Sequence, residues 1–110
     1  MNIRLIAWGI ASVMALAAGS AQAIDDTKAQ EIAKKSGCVA CHALDKKVYG
    51  PAFKDVAAKH KGEADAVTKL EKAVRVGSKG TYGAGMMPPN PAARIGDQEL
   101  HALLEWVLTK

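Results

Sequence analysis

Two thiols and an imidazole stand within five consecutive residues, Cys38-Val39-Ala40-Cys41-His42, and the chain has no other cysteine. Thiols separated by two residues in a tight turn or first helical turn can each add to a vinyl group on the same edge of one porphyrin. The histidine directly after the second thiol is then held beneath the ring, where its imidazole can ligate iron as the proximal ligand. The pattern C-x-x-C-H thus predicts one haem c, covalent through Cys38 and Cys41, with His42 on the metal.

Three other chemistries use such cysteines, and each lacks something here. A disulfide across two residues closes too small a loop to staple a domain. A thioredoxin-like redox pair needs a βαβ context, and no strand-like alternation surrounds these residues. A structural zinc site wants four ligands, and no second cysteine pair completes one.

Haem iron has a sixth position, for which Met86, Met87, His60 and His101 are the candidates. The two methionines stand together in Gly85-Met86-Met87-Pro88-Pro89-Asn90. Prolines fix φ and remove backbone donors, so a methionine followed by Pro-Pro lies on a stiffened loop suited to holding a soft thioether against iron. One of this pair is the expected ligand, and Met87, which abuts the prolines, is preferred. His60, at the end of a short helix, reads as a surface or partly buried histidine. His101 reads likewise beside an apolar helical stripe, which leaves bis-histidine ligation as the minor alternative.

The elements that must position these groups are helical. Asp25 and Asp26 offer an N-cap, and Ala29, Ile32 and Ala33 fall at helical spacing before Ser36-Gly37 ends a first helix that delivers the chain into the cysteine motif. Gly50-Pro51 opens a short second helix with Phe53, Val56 and Ala57 on one face. A third, from Glu63 to Val76, carries Ala66, Val67, Leu70, Ala73 and Val74 on one face and ends at Gly77. Residues Gly77 to Gly96 hold five glycines and three prolines and specify a long loop. Asp97 then caps a last helix with Leu100, Leu103, Leu104 and Val107 as its stripe, and Lys110 suits its C-terminus. No strand, repeat or second domain is expected. The predicted architecture is all-α, four short helices wrapped around a cofactor.

Arg4, the apolar run from Leu5 to Ala18 and Ala21-Gln22-Ala23 have the form of a secretory signal peptide over residues 1–23, with Ile24 as the first mature residue. Export agrees with haem attachment, which in bacteria takes place outside the cytoplasm. A membrane anchor is the weaker reading, because the apolar run is short and ends in small residues. Residues 24–110 make one domain that is marginal for an unaided apolar core, with a single Phe, two Tyr and, after the leader, only Trp106. A tethered macrocycle would fill that interior, and the apo-protein is expected to be largely disordered. The formal net charge of the full chain, +4, is too small for a nucleic-acid partner. Lys34, Lys35, Lys46, Lys47 and Lys54 gather around the cysteine motif, either as an ordinary solvated surface or as a positive ring for acidic partners.

Together these segments resemble the short bacterial class I cytochromes c, in particular the c551/c552 group of electron carriers. Gly37-Cys38-Val39-Ala40-Cys41-His42-Ala43 is similar to the haem motif of that family. Gly50 to Lys59 is similar to its proline-led helix, Met87-Pro88-Pro89-Asn90 to its methionine loop, and Glu105-Trp106-Val107-Leu108 to its last helix. The resemblance spans nearly all of residues 24–110. It implies the class I fold, His42 and Met87 as axial ligands, and the carbonyl of Pro51 as acceptor for the second ring N–H of His42. It further implies a periplasmic monomer that shuttles electrons between respiratory redox complexes, such as a nitrite reductase, peroxidase or terminal oxidase, docking at the haem edge without membrane insertion.

Three positions depart from that pattern. Tyr82 stands where the family has a tryptophan that reaches a haem propionate, and its hydroxyl can donate one hydrogen bond in its place. Met86 replaces a proline before the ligand methionine, so two thioethers could compete for iron. Ala33 replaces an aromatic, which predicts looser packing of the first helix on the last. The rival reading is a haem enzyme or ligand sensor with a labile sixth position, and no general acid or base near the methionines supports it.

Overall fold

The computed structural model describes residues 23–110. The leader read over residues 1–23 therefore lies, apart from Ala23, outside the described residues. Four helices follow in chain order: α1 (Asp26–Lys35), α2 (Phe53–Lys59), α3 (Ala66–Val76) and α4 (Asp97–Val107). A 3-10 turn, Cys38–Ala40, holds the cysteine motif directly after α1.

The first helix starts where a carboxylate satisfies its free donors: the Asp25 side chain accepts from the Lys28 amide at 2.8 Å. Ala29, Ile32 and Ala33 are buried on one face, as their spacing predicts. The stripe of α4 is buried too, with Leu100, Leu103, Leu104, Trp106 and Val107 all inside. Each such leucine or valine contributes roughly 1.5–3 kcal/mol on leaving water, which outweighs the weak intrinsic preference of so short a helix. The first and last helices are also pinned by polar contacts. The Trp106 indole N–H donates to Asp26 Oδ1 at 2.8 Å, and the Lys110 ammonium donates to the same oxygen at 3.0 Å. That ammonium lies 4.5 Å from the centre of the Trp106 ring. Val56 of α2, Leu70 of α3 and Ile95 join the same core.

Three sequence expectations are corrected. The third helix begins at Ala66 rather than Glu63. Glu63 instead sits in a turn, where its carboxylate accepts from the His60 ring at 2.8 Å and Lys69 Nζ at 3.3 Å. Asp97 does not cap α4, because its carboxylate is taken by Arg75 Nη2 at 2.6 Å, and Gly96 holds the cap position without a side-chain bond. The long loop is not without strands: β1 (Ser78–Lys79) and β2 (Met86–Met87) pair antiparallel, with Ser78 opposite Met87 and Lys79 opposite Met86. Two residues per strand are too few to leave a readable alternation.

The architecture is otherwise the predicted one, four short helices around an apolar cavity. The miniature ladder matters functionally because adjacent residues on a strand face opposite ways. Met86 is 57% exposed, whereas Met87 is partly buried.

Candidate haem site

One cavity, about 1390 Å³ counted with its open mouth, is bounded by the cysteine motif, α2, α3, the ladder and α4. Cys38, Cys41, His42, Pro51, Tyr82 and Met87 all line it, as does Met86, so the structure brings together the thiols, the imidazole, its expected carbonyl acceptor, the tyrosine and both methionines named in the sequence. Val56, Leu70, Leu100, Leu103 and Leu104 supply its apolar wall.

The proximal side is built by tight backbone contacts. The His42 amide donates to the Cys38 carbonyl at 2.9 Å and the Gly50 amide to the Cys41 carbonyl at 2.7 Å, which folds the segment from Ala43 to Pro51 back onto the motif. The Phe53 amide donates to the Ala43 carbonyl at 2.9 Å and ties the start of α2 to the same segment. The His42 Nδ1 consequently lies 2.7 Å from the Pro51 carbonyl oxygen. A carbonyl only accepts, so Nδ1 carries the proton and Nε2 keeps a free lone pair. The imidazole stacks on Phe53 with ring centres 5.3 Å apart and planes 20° from parallel.

Glycine at position 50 is required by this packing. A β-carbon there would lie 2.6 Å from His42 Cε1, closer than such contacts allow. Gly77 does the same for the methionine segment, since its β-carbon would lie 2.7 Å from the Met87 carbonyl oxygen, and its φ of +88° also disfavours a side chain.

Cys38 and Cys41 are not joined to each other. Burial pushes the Cys38 thiol up from its ordinary value, against smaller lowering effects of its own backbone and the Arg94 guanidinium. A thiol held protonated is unlike the low-pKa thiolate of a disulfide oxidoreductase. Burial likewise raises Tyr82, with Asp55 and Glu63 adding to the effect, so its hydroxyl remains a donor. That hydroxyl is buried and has no hydrogen-bond partner. A buried polar group without a partner calls for one, and a haem propionate reaching this wall would supply the acceptor. The cavity, its two thiols, the free Nε2 of His42 and the orphaned hydroxyl together fit the macrocycle.

The remaining histidines are engaged elsewhere and do not line the cavity. His60 bonds Glu63. His101 lies between Glu71 Oε1 at 2.6 Å and Glu105 Oε1 at 2.9 Å, and the Glu71 bond is the largest cause of its raised pKa. Of the five lysines near the motif, Lys47 reaches the cavity wall, while Lys35 is paired with Glu99 at 2.7 Å.

A family model described as Cytochrome c matches residues 27–110. The chain belongs to the cytochrome c family. It is similar to cytochrome c-551 of Pseudomonas denitrificans, 44% identical over 80 residues that cover 73% of this chain and 94% of the relative. It is similar to cytochrome c-552 of Nitrosomonas europaea, 45% identical over 94 residues, 86% of this chain and 84% of that one. Among solved structures, wild-type Nitrosomonas europaea cytochrome c552 superposes with a TM-score of 0.68 at 44% identity, covering 73% of this chain and 96% of the other. The class 1 cytochrome MtoD of Sideroxydans lithotrophicus gives 0.67 at 31% identity, covering 79% and 97%. This cytochrome is thus a small class I member of the c551/c552 type, a haem c electron-transfer protein with one covalently bound haem.

Sequence reasoning missed several residues that build the site. In the sequence Phe53 reads only as part of a helix face, and its stacking on His42 depends on where α2 begins. Gly50 carried a usable signal, since it stands directly before the proline whose carbonyl receives the imidazole. Arg75 carried none, being one of several charged residues on a helix.

Proposed function

We propose that this cytochrome is a periplasmic electron shuttle, its haem held by thioethers to Cys38 and Cys41 and ligated by His42 and Met87. The observation that carries the reading is the bond from His42 Nδ1 to the Pro51 carbonyl, inside a cavity that both thiols and Met87 also line. The carbonyl fixes the tautomer and the orientation of the ring and leaves Nε2 for the metal. Haem c supplies a one-electron Fe(II)/Fe(III) couple. The protein's part is to fill both axial positions and to exclude water, so that little rearranges on electron transfer and no substrate reaches the metal. This is a carrier's arrangement rather than an enzyme's or a sensor's, which need an open sixth position. The Tyr82 hydroxyl donates to a propionate, in the place that the family gives to an indole.

Residues 1–23 act in this reading as the export signal, and residues 24–110 as one domain that works as a monomer. Among the described residues no helix is long and apolar enough to cross a membrane. Partner respiratory proteins dock at the haem edge, where exposed Tyr49 and Met86 flank the cavity mouth beside Lys47. Attraction through the lysines predicts transfer rates that fall as ionic strength rises.

The deciding experiment is spectroscopy of the holoprotein. A thioether-to-ferric-iron absorption band and a strongly shifted methionine methyl resonance in the reduced state are expected. Met87→Ala should abolish both, lower the reduction potential and open the iron to small ligands, while Met86→Ala should leave them in place. If Met86→Ala has the larger effect, the axial assignment is wrong; if the parent shows neither signal, thioether ligation is wrong.

A further inference from the structure

The stretch that follows the methionines, from Pro88 to Gly96, is fastened near both ends by one side chain that does not line the cavity. Arg75, in the last turn of α3, donates through Nη1 to the carbonyl oxygens of Asn90 at 3.2 Å and Ile95 at 2.8 Å. Its Nη2 donates to Asp97 Oδ1 at 2.6 Å. The guanidinium therefore bridges the Met-Pro-Pro-Asn turn and the start of α4. The same turn is also held against α3: the Asn90 backbone amide and its side-chain Nδ2 donate to the Val74 carbonyl at 2.8 and 3.4 Å, and the backbone passes so close to Gly77 that a β-carbon there would lie 2.7 Å from the Met87 carbonyl oxygen. Between Asn90 and Met87 lie only Pro88 and Pro89, whose fixed φ transmits an anchor at one end to the other.

The three Arg75 contacts are unequal. The Asp97 side chain is 91% exposed, and an ion pair so open to water contributes little. The Arg75 side chain is only 23% exposed, and its carbonyl bonds are charge-assisted and part-buried, which makes them the stronger ones. Nη1 serves both carbonyls while Nη2 serves Asp97, a spread over two nitrogens that the planar fork of arginine provides and the single nitrogen of a lysine ammonium does not reproduce.

We propose that Arg75 is the positioning residue that keeps Met87 on the iron, by tying the carbonyls of Asn90 and Ile95 to α3. The inference rests on the Met87 ligation proposed above. An external ligand can bind only in the fraction of molecules whose Met87 has swung away, so its apparent affinity rises in proportion to that fraction. Loosening the anchor raises the fraction while the iron, the imidazole and the cavity stay the same.

The test is an imidazole titration of the ferric holoprotein, followed by the thioether band, for the parent, Arg75→Met, Arg75→Lys, Asp97→Asn and Lys35→Met. Losing hydrogen bonds to a charged group predicts imidazole affinity on the order of tenfold higher in Arg75→Met, with Arg75→Lys between it and the parent. Asp97→Asn and Lys35→Met, which break exposed pairs, should stay within about twofold of the parent. An unchanged affinity in Arg75→Met overturns the proposal, as does an equal rise in Lys35→Met, which would mark a general loss of stability. Should Arg75→Met not retain haem, Arg75→Lys decides by the same criterion. A parent without the thioether band overturns the ligation reading and this one with it, whereas a parent with the band and an indifferent Arg75 overturns this one alone.

Discussion

The Nδ1 of His42 and the carbonyl oxygen of Pro51 lie 2.7 Å apart, and the ring so held stacks on Phe53 and lies so close to Gly50 that a β-carbon there would collide with it. The imidazole is gripped by contacts that all come from the few residues after the cysteine motif. Its orientation is set by the same fold-back that ties the Gly50 amide to Cys41.

Gly50→Ala should therefore act on the ligand rather than on the backbone. The added methyl would lie 2.6 Å from Cε1 and 3.0 Å from Nδ1, and the stacked Phe53 leaves the ring little room to retreat. A cost of roughly 1–3 kcal/mol, typical of overpacking, is expected in denaturant unfolding of the holoprotein. A shift in reduction potential should accompany it. A variant as stable as the parent with the same potential would show that the ring is not clamped.

Tyr82→Phe removes a hydroxyl that is buried and has no partner within the protein. If a haem propionate is that partner, the change should destabilise the holoprotein by about 1 kcal/mol and alter its potential. Without such an acceptor, removing an unsatisfied buried hydroxyl should stabilise it instead. The sign of the change in unfolding free energy separates the two.

Cofactor attachment can be removed at its source with a Cys38→Ala, Cys41→Ala double variant. The cavity that haem would fill is walled by Val56, Leu70, Leu100, Leu103 and Leu104, residues that are also the core of α2, α3 and α4. Without the macrocycle these side chains border an empty cavity and lose part of their packing, and binding free energy is here folding free energy. Far-UV circular dichroism should show most helicity lost and no cooperative thermal transition. A cooperative, fully helical apo form would mean that the peptide core suffices alone.

Much of this was legible in the chain, for identifiable reasons. The buried faces of α1 and α4 follow from apolar spacing, because a helix repeats every 3.6 residues whatever it packs against. The cavity residues were legible because Cys38, Cys41 and His42 form one local motif and Met87 stands beside two prolines. What escaped depends on contacts between distant segments. Arg75 reaches Ile95 and Asp97 across α3 and α4, and no local pattern marks such a reach. The start of α4 was misread for the same reason: Asp97 has the ordinary chemistry of a cap, but Arg75 competes for its carboxylate. The looser packing expected from Ala33 has no counterpart at that position, which is itself buried, 2% exposed, in the core that α1 shares with α4.

His101 predicts a pH dependence remote from the haem. Its two ring nitrogens face Glu71 on α3 and Glu105 on α4, and two acceptors are satisfied together only by an imidazolium. The Glu71 hydrogen bond is the chief cause that raises its pKa above the ordinary 6.5, with burial opposing and Glu105 adding to the rise. A group whose pKa is higher in the folded state contributes stability in full below its unfolded value and loses it as the pH climbs through the folded one. The pair between α3 and α4 should thus stabilise the protein in mildly acidic solution and fade toward alkaline pH. All three side chains are more than a third exposed, so the effect is screened and should shrink further in high salt. Thermal unfolding of the parent and His101→Gln over a pH series checks this. The parent should lead at low pH, and the two midpoints should converge as the pH rises. A gap that is constant or grows with pH would show that His101 acts by packing alone.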